Sequence, residues 1–323
     1  MDRFGHRFQL DIFGASHEPC VGVTLRGVPV DLPLAEADFT ADLLRRKSGA
    51  RGTTPRIEDD RPAIDDRRAT DGTLTLTFAN KNYRDADYKD FTAIPRPGHA
   101  DFVAMAKYGS LRNGWFSGRM TLPLVAAGVI AKKLIEPLHI EARLTEVGGI
   151  STDDAEAVDH LLDEAIREGD SLGGIVECQC TAVPVGLGEP FFDSLESLLS
   201  HATFSIPGIR GIEFGDGFAA ARMKGSAHND PFIDAAGHTA RNGAGGINGG
   251  ISNGNPLVFR IAVKPTSSIR KAQRTFDFEN GRMTDYAIPG RHDVCFALRV
   301  PPVVEAVTAC VLADLMAGND ADL

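Results

Sequence analysis

Apolar and polar positions alternate along residues 7–13, 21–26 and 73–78, the period-two signature of half-buried strands. The run Leu257–Val263 is apolar enough for a buried strand, and His139–Val147, residues 174–183 and Ile209–Phe214 read as further strands. Helical spacing holds over 34–47 through Leu34, Ala37, Ala41 and Leu44, and over 151–168, where an acidic start suits the helix dipole. Residues 121–136 form an apolar helix in which Ala126, Ala127, Gly128 and Ala131 are small enough for close packing. Residues 193–201 predict a short helix and 303–316 a last one. Residues 59–71 read as a charged turn, 81–91 and 222–230 as polar loops, and the closing GNDADL as a frayed end. No repeat or long Pro/Gly/Ser linker divides the chain, so the pattern predicts one α+β domain over residues 1–323.

The chemistry lies in the gaps between these elements. Residues 241–268, RNGAGGINGGISNGNPLVFRIAVKPTSS, carry six glycines between Gly243 and Gly254. A strand follows, and then Lys264, Thr266, Ser267 and Ser268. Free N–H groups, a lysine and hydroxyls suit a phosphate, or a flat ring with a phosphate tail. A plain inter-strand loop with Asn-Gly turns is the other reading. Neither GxGxxG after a strand nor GxxxxGK[ST] is present, so nucleotide motifs do not apply.

Charge narrows the partners. Forty-four acidic residues against 34 basic ones give a formal charge of −10. That disfavours a nucleic-acid binder and requires any anion site to be built locally. The stretch LRRKSGARGTTPR places Arg45, Arg46, Lys47, Arg51 and Arg56 at a helix end and loop. It is either a clamp for a phosphorylated or carboxylated substrate or a set of charges compensating the helix dipole. Ser16-His17 falls in a turn between strands, where a side chain can be aimed at a ligand. IPRPGHADF fixes Arg96 and His99 in a proline-stiffened loop suited to an acid or base. Ser117, Arg119 and Thr121 precede a helix N-terminus that favours anions. PGRHDVC sets Arg291, His292 and Asp293 after a turn. No apolar run of membrane-span length and no signal-peptide core stands out, and no metal-ligand spacing occurs. The five cysteines are an odd count without CxxC spacing. They read as reduced thiols in a cytoplasmic protein.

Taken in order, FGASH, RRKSGARGTT, RPGHAD, SGRMT before VAAGVIAKK, VPVGLGEP, GAGGINGGISNG, KPTSSI and GRHDVC resemble the chorismate synthase family over nearly the whole chain. The resemblance implies a carbon–oxygen lyase of the shikimate pathway. It would convert 5-enolpyruvylshikimate 3-phosphate to chorismate by 1,4-anti elimination of phosphate, using reduced FMN without net redox change. It also implies an α+β sandwich with antiparallel sheets in the core and helices outside, assembled as a homotetramer. By position, His17 matches the histidine that assists phosphate departure, His99 the one that meets the reduced flavin, and Asp293 the aspartate near flavin N5. Ser16, Arg46, Arg51 and Arg119 match the substrate contacts. Ser117, Gly249, Lys264, Pro265, Thr266, Ser267, Ser268 and Arg291 match the flavin contacts.

Three segments depart from the family pattern. The chain has GASHE where the family reads GESHG, so Ala15 and Glu18 replace a glutamate and a glycine. Residues 115–121, WFSGRMT, stand where the family reads RSSARET, which removes an arginine and a glutamate and brings in two large rings. Pro207-Gly208 replaces Asn-Ala. Three functions remain open at this level: a divergent chorismate synthase, a paralogue using FMN on another phosphorylated ring, and a catalytically silent flavin-binding module.

Overall fold

The period-two segments pair as two five-stranded antiparallel sheets in the computed structural model, which describes residues 3–82 and 91–319. The first sheet is built from β1 (Arg3–Phe4), β2 (Gln9–Gly14), β3 (Cys20–Arg26), β4 (Ala63–Arg67) and β5 (Thr73–Ala79), in the spatial order β1-β2-β3-β5-β4. In the second, β6 (His139–Val147), β7 (Ile150–Ser151), β8 (Gly174–Thr181) and β9 (Ile209–Phe214) join β12 (Leu257–Val263), in the order β7-β6-β8-β12-β9. Two short hairpins, β10 (Ile247–Asn248) with β11 (Ile251–Ser252) and β13 (Gln273–Asp277) with β14 (Arg282–Tyr286), stand apart from these sheets.

Each large sheet buries one face. Val21, Val23 and Leu25 of β3 and Leu74, Leu76 and Phe78 of β5 are fully buried. On the opposite face Thr24 and Thr75 pair through their hydroxyls at 3.0 Å. In the second sheet the register sets Cys178 opposite Phe259 and Val176 opposite Ile261, all buried. Between the sheets run α4 (Thr121–Leu134) and α8 (Pro301–Asn319), which pack on each other; α4 lies on β3 and α8 on β6. Both are buried nearly all round, as a helix between two apolar faces must be. A Cβ on Gly128 would collide with Ala306, so the small residues of α4 do allow the close crossing expected of them. The α+β class and the antiparallel sheets are as the resemblance implied, but α4 and α8 lie between the sheets and not outside them, because both are apolar nearly all round and need cover on every side. Residues 301–318 of α8 are long and apolar enough to cross a membrane, a run missed in the sequence, and 72% of that stretch is buried in the core.

Charged side chains pin α8 in place. Glu305, 2% exposed, accepts from Arg45 at 2.6 and 2.7 Å, Lys132 at 2.8 Å and the Ala142 N–H at 3.0 Å. A buried carboxylate requires such partners. Asp314 accepts the N–H groups of His6, Arg7 and Phe8 at 2.6–2.9 Å, tying the start of β2 to the chain's last helix.

The smaller elements differ from the sequence reading for local reasons. Within 34–47 a 3₁₀ turn, Glu36–Phe39, precedes α1 (Thr40–Arg46), because the Ala35 N–H is held by Asp38 at 2.9 Å. Residues 59–71 hold β4 and a single helical turn, α2 (Arg68–Asp71), instead of a continuous turn. The helix expected from residue 151 starts later, as α5 (Ala155–Glu168), because β7 claims Ile150–Ser151 and Asp154 caps the Ala157 N–H at 3.0 Å. The remaining helices are α3 (Asp101–Tyr108), α6 (Leu195–Thr203) and α7 (Gly225–His228), the last a single turn inside the expected 222–230 loop. Of the polar loop over 81–91, residues 83–90 lie outside the described residues, as does the end of GNDADL.

Candidate active site

Loops from both sheets meet in one open cleft, with about 1180 Å³ of atom-free space counting its mouth. The contributing segments are the β2–β3 turn with His17, the loop after α1, the 96–99 loop before α3, residues 114–119 before α4, Pro207-Gly208, residues 264–268 after β12, and 291–299 before α8. Seven cations line it (Arg46, Arg56, Arg96, Arg119, Lys264, Arg291 and Arg299) against three carboxylates (Glu58, Asp60 and Asp293). In a chain of charge −10 this is a local concentration of positive charge, as any anion site in it would need.

Its floor is a buried ionic cluster. Arg46, 2% exposed, donates to Asp60 Oδ2 at 2.6 Å, and Arg119 donates to the other oxygen of the same carboxylate. Arg119 Nε also donates to Asn80 Oδ1 at 3.1 Å. Arg299 donates to the Arg46 carbonyl at 3.0 Å and to Asp293 at 3.1 and 3.2 Å. Burial pulls Arg46 down to about 10, with Asp60 opposing and Arg299 and Arg119 adding to the fall. Burial pushes the Asp60 carboxyl up, but the Arg46 and Arg119 charges outweigh it and leave it below the ordinary value. Arg46 Nε and Nη1 are buried without a hydrogen-bond partner among the described residues, as are Thr266 Oγ1 and Ser16 Oγ. Buried donors are normally satisfied, so four such atoms in or beside one cationic cleft suit an anionic, hydrogen-bonding ligand.

The loops on the cleft wall are stitched together. The Gly52 carbonyl accepts the N–H groups of Val294 and Cys295 at 2.9 Å each. Thr54 donates its N–H to Asp293 Oδ1 at 2.8 Å and its hydroxyl to the Arg291 carbonyl at 3.0 Å. Lys264 Nζ donates to the Gly98 carbonyl at 2.8 Å and contacts Ser267 Oγ, which donates to the same carbonyl at 2.8 Å. The KPTSS segment thus clamps the 96–99 loop. There His99 Nδ1 lies 2.7 Å from Asp101, and Arg96 brackets that carboxylate. Burial lowers the His99 pKa, and the Asp101 hydrogen bond only partly offsets it.

The first altered segment touches the residues just ahead of the second. The His17 N–H donates to the Asn113 carbonyl at 3.0 Å, and Asn113 Nδ2 reaches Glu18 Oε1 at 3.3 Å. Arg112, Asn113 and Gly114 all have positive φ (56°, 50° and 85°). Non-glycine residues hold that conformation only where their surroundings enforce it. At Gly114 a Cβ would strike Ser16 Oγ, so glycine lets this segment lie against the His17 turn. Asn80 secures the turn from below, donating to the carbonyls of Ala15 at 2.9 Å and Glu18 at 2.7 Å. Phe116 lines the cleft, edge-on to His99 with ring centroids 6.4 Å apart. Trp115 does not line it and stacks under Arg112 at 3.9 Å. In the third altered segment, the Gly208 carbonyl accepts the Lys264 N–H at 2.9 Å.

Most of the sequence candidates therefore converge. His17, His99, Asp293, Arg46, Arg119, Ser117, Lys264, Pro265, Thr266, Ser267, Ser268 and Arg291 line the cleft, with Ser16 directly behind. Arg51 does not. It turns outward to Asp159 at 3.5 Å and to Asp163, both on α5, and Arg56 lines the cleft instead. Gly249 lies in the β10–β11 turn, away from the cleft. In the glycine-rich loop several N–H groups are already taken: Asp230 accepts those of Gly243 and Ala244 at 2.8 Å each, and Asn242 accepts that of Gly246 at 2.8 Å. The sequence reading missed Asp60, Asn80, Asp101 and Arg299. Asp101 was signalled only by its place in RPGHAD, and the others by nothing local.

The chorismate synthase family model matches residues 8–317. A chorismate synthase from Chitinophaga pinensis is 55% identical, over 98% of this chain and 96% of the relative. One from Dehalococcoides mccartyi is 43% identical, over 96% and 95%. One from Korarchaeum cryptofilum is 40% identical, over 97% and 96%. A solved chorismate synthase crystal structure superposes with a TM-score of 0.74, covering 98% of this chain and 93% of that one. At 24% identity that likeness shows the fold.

Proposed function

The chain belongs to the chorismate synthase family, and from that membership we propose that the cationic cleft eliminates phosphate from 5-enolpyruvylshikimate 3-phosphate to give chorismate. The observation that carries this reading is the buried Arg46–Asp60–Arg119 cluster, which leaves two Arg46 donors without a partner among the described residues, in the cleft that His17 and His99 also line. A departing phosphate needs cations and a proton donor. Arg46, Arg119 and Ser16 hold the substrate's anionic groups, and His17 delivers a proton to the leaving phosphate. Asp60 holds both arginines in place and partly neutralises them.

The residues present suit FMN. Thr266 Oγ1 is a buried hydroxyl without a partner among the described residues, and Ser117, Ser267, Ser268, Lys264 and Arg291 line the same cleft. Reduced FMN, when bound, supplies the electron chemistry of the elimination. Lys264 to Ser268, Ser117 and Arg291 position it, and His99 faces it. Asp293, held by Arg299 and the Thr54 N–H, sets a fixed carboxylate at the same wall, where the proton that the substrate ring loses in the elimination would finally be received. Arg51 and Gly249 have no role here within one chain.

Two coarser features belong to the same proposal. Residues 1–323 act as a single domain, since one continuous core joins both sheets through α4 and α8. The protein works as a homo-oligomer, a tetramer in our reading, in the cytoplasm. Phe191, Phe192, Phe218 and Phe232, each at least 76% exposed, suit burial between copies, and the unpaired thiols suit a reducing compartment. The paralogue reading loses one support, because Trp115 lies outside the cleft.

Binding measurements separate the two ligand sets. Flavin fluorescence should report weaker FMN binding in Thr266→Val with little change in Arg46→Lys. Substrate binding, read calorimetrically, should weaken roughly ten- to hundredfold in Arg46→Lys, since a charge-assisted contact is worth about 1.5–3 kcal/mol. If Arg46→Lys loses FMN and keeps the substrate, the assignment of the cleft floor is wrong.

A further inference from the structure

We propose that Asp101, held by Arg96, fixes the tautomer of His99, so that Nδ1 carries the ring proton and Nε2 presents a lone pair to the cleft. His99 Nδ1 lies 2.7 Å from Asp101 Oδ1 and 3.0 Å from Arg96 Nη2. A guanidinium has no acceptor, and an ionised carboxylate has no donor. The 2.7 Å contact is attractive only with a hydrogen between nitrogen and oxygen, and Nδ1 must supply it. Asp101 is kept ionised by its other partners. Arg96 donates Nη2 to Oδ1 at 2.7 Å, and both Nε at 2.7 Å and its backbone N–H at 3.1 Å to Oδ2.

Arg96 is itself immobilised. Its Nη1 donates to Ser268 Oγ at 3.1 Å, and its guanidinium covers the Phe91 ring at 4.2 Å. The charged groups facing the imidazole are thus Arg96 and Asp101 from its own loop and Lys264 from the segment after β12. Phe116 closes a further side. Nε2 makes no hydrogen bond among the described residues, and His99 lines the cleft. Burial, Arg96 and Lys264 all disfavour a second ring proton, so the neutral Nδ1–H form prevails near pH 7. Asp101 is 2% exposed and does not line the cleft. It is a positioning residue, acting through His99. The consequence is chemical: Nε2 is the ring position open to the cleft, where His99 can accept a proton and, once it has done so, donate it, with Asp101 balancing the imidazolium.

This rests on the reading of His99 as a cleft residue facing the cofactor, but the tautomer belongs to the unliganded protein and is measurable without turnover. The experiment is long-range ¹H–¹⁵N correlation on full-length protein labelled with ¹⁵N-histidine, free of FMN, at pH 8. The His99 signals are identified by their loss in His99→Gln. The wild type should show a protonated Nδ1 and an unprotonated Nε2; the reverse overturns the proposal. In Asp101→Asn the amide oxygen is expected to stay at the Oδ2 position, where two Arg96 donors converge. Its NH₂ then faces Nδ1 and should force the Nε2–H tautomer. Turnover should fall roughly 10²-fold or more, while oxidised FMN should bind within a few-fold of wild type. An unchanged tautomer in Asp101→Asn, even with lost turnover, makes Asp101 merely structural and overturns the proposal. If Asp101→Asn does not fold, the wild-type spectrum still decides. Full turnover in His99→Gln would remove the functional reading of His99 and leave the tautomer assignment standing.

Discussion

Asp60 is the residue on which the cleft floor depends. It holds Arg46 and Arg119 with one carboxylate, from a backbone at φ 55° that non-glycine residues rarely adopt. Removing one partner of a buried ionic cluster typically costs about 3–5 kcal/mol, because charge is left buried and uncompensated. Asp60→Asn should show a loss of that order in urea unfolding; a change under about 0.5 kcal/mol would mean the arginines relax freely. Trp115 and Phe116 give a second test. Only Phe116 borders the cleft, so Phe116→Ala should alter KM or kcat several-fold, and Trp115→Ala should leave both near wild type. Equal kinetic effects would contradict that division. The sequence exposed His17, His99, Asp293 and Arg46 because each sits in a recognisable ordered motif. It did not expose Asp60, one acid in the run Glu58-Asp59-Asp60, because its partner Arg46 is set by the three-dimensional path of the loop and not by spacing. For the same reason Arg51 was placed in the clamp. The bonds from Gly52 to Val294 and Cys295 leave it facing Asp163.

Elements were legible where one apolar face is buried and illegible where none is. The strands β3, β5 and β8 alternate or run apolar because each covers a helix, and β12 alternates because Leu257, Phe259, Ile261 and Val263 face the core. Every residue of β4 is exposed, and β13–β14 buries only Asp277, so neither leaves a periodic trace. The α4–α8 crossing was legible in the small residues of α4. Gly128→Val should destabilise by about 1–3 kcal/mol through overpacking against Ala306, read as a lower urea midpoint with an unchanged slope; an unaltered midpoint would mean that the crossing has slack. The glycine-rich loop misled because glycine density suggests free N–H groups, whereas Asp230, far back in sequence, already occupies two of them. Lys264 shows the reverse. It was legible as a cation, but its ammonium also clamps the 96–99 loop through the Gly98 carbonyl. Lys264→Ala should therefore raise amide hydrogen exchange at 96–101 even without ligand. Unchanged exchange there would make the clamp dispensable.

For the molecule as a whole, the shifted groups act in one direction with pH. Asp60, Asp101 and Glu305 have folded pKa values below their ordinary ones, burial opposing and hydrogen-bonded cations prevailing. Such carboxylates add stability that is complete above their unfolded values of about 4 and is lost as pH falls through the folded values. His99 and His292 are lowered by burial. Their contribution is likewise complete above about pH 6.5 and lost as pH falls through the lower folded values. Thermal melts should thus show Tm falling first below pH 6.5 and again more steeply below about pH 4; a Tm flat from pH 8 to 4 would contradict this. The fold class was legible from interleaved periodicities, and the converging site from ordered motifs. How seven cations are held in one cleft of an acidic protein was not, because counter-charges such as Asp60 and Asp101 act through space. The central claim is that this cleft eliminates phosphate with reduced FMN. It is tested most directly by anaerobic incubation of the purified protein with 5-enolpyruvylshikimate 3-phosphate and photoreduced FMN, with phosphate and organic product measured together. The account predicts equal amounts of phosphate and chorismate, none without reduced flavin, and a loss of roughly 10²-fold or more in His17→Ala. Tight binding of both ligands with no phosphate released, or a wild-type rate in His17→Ala, would contradict it.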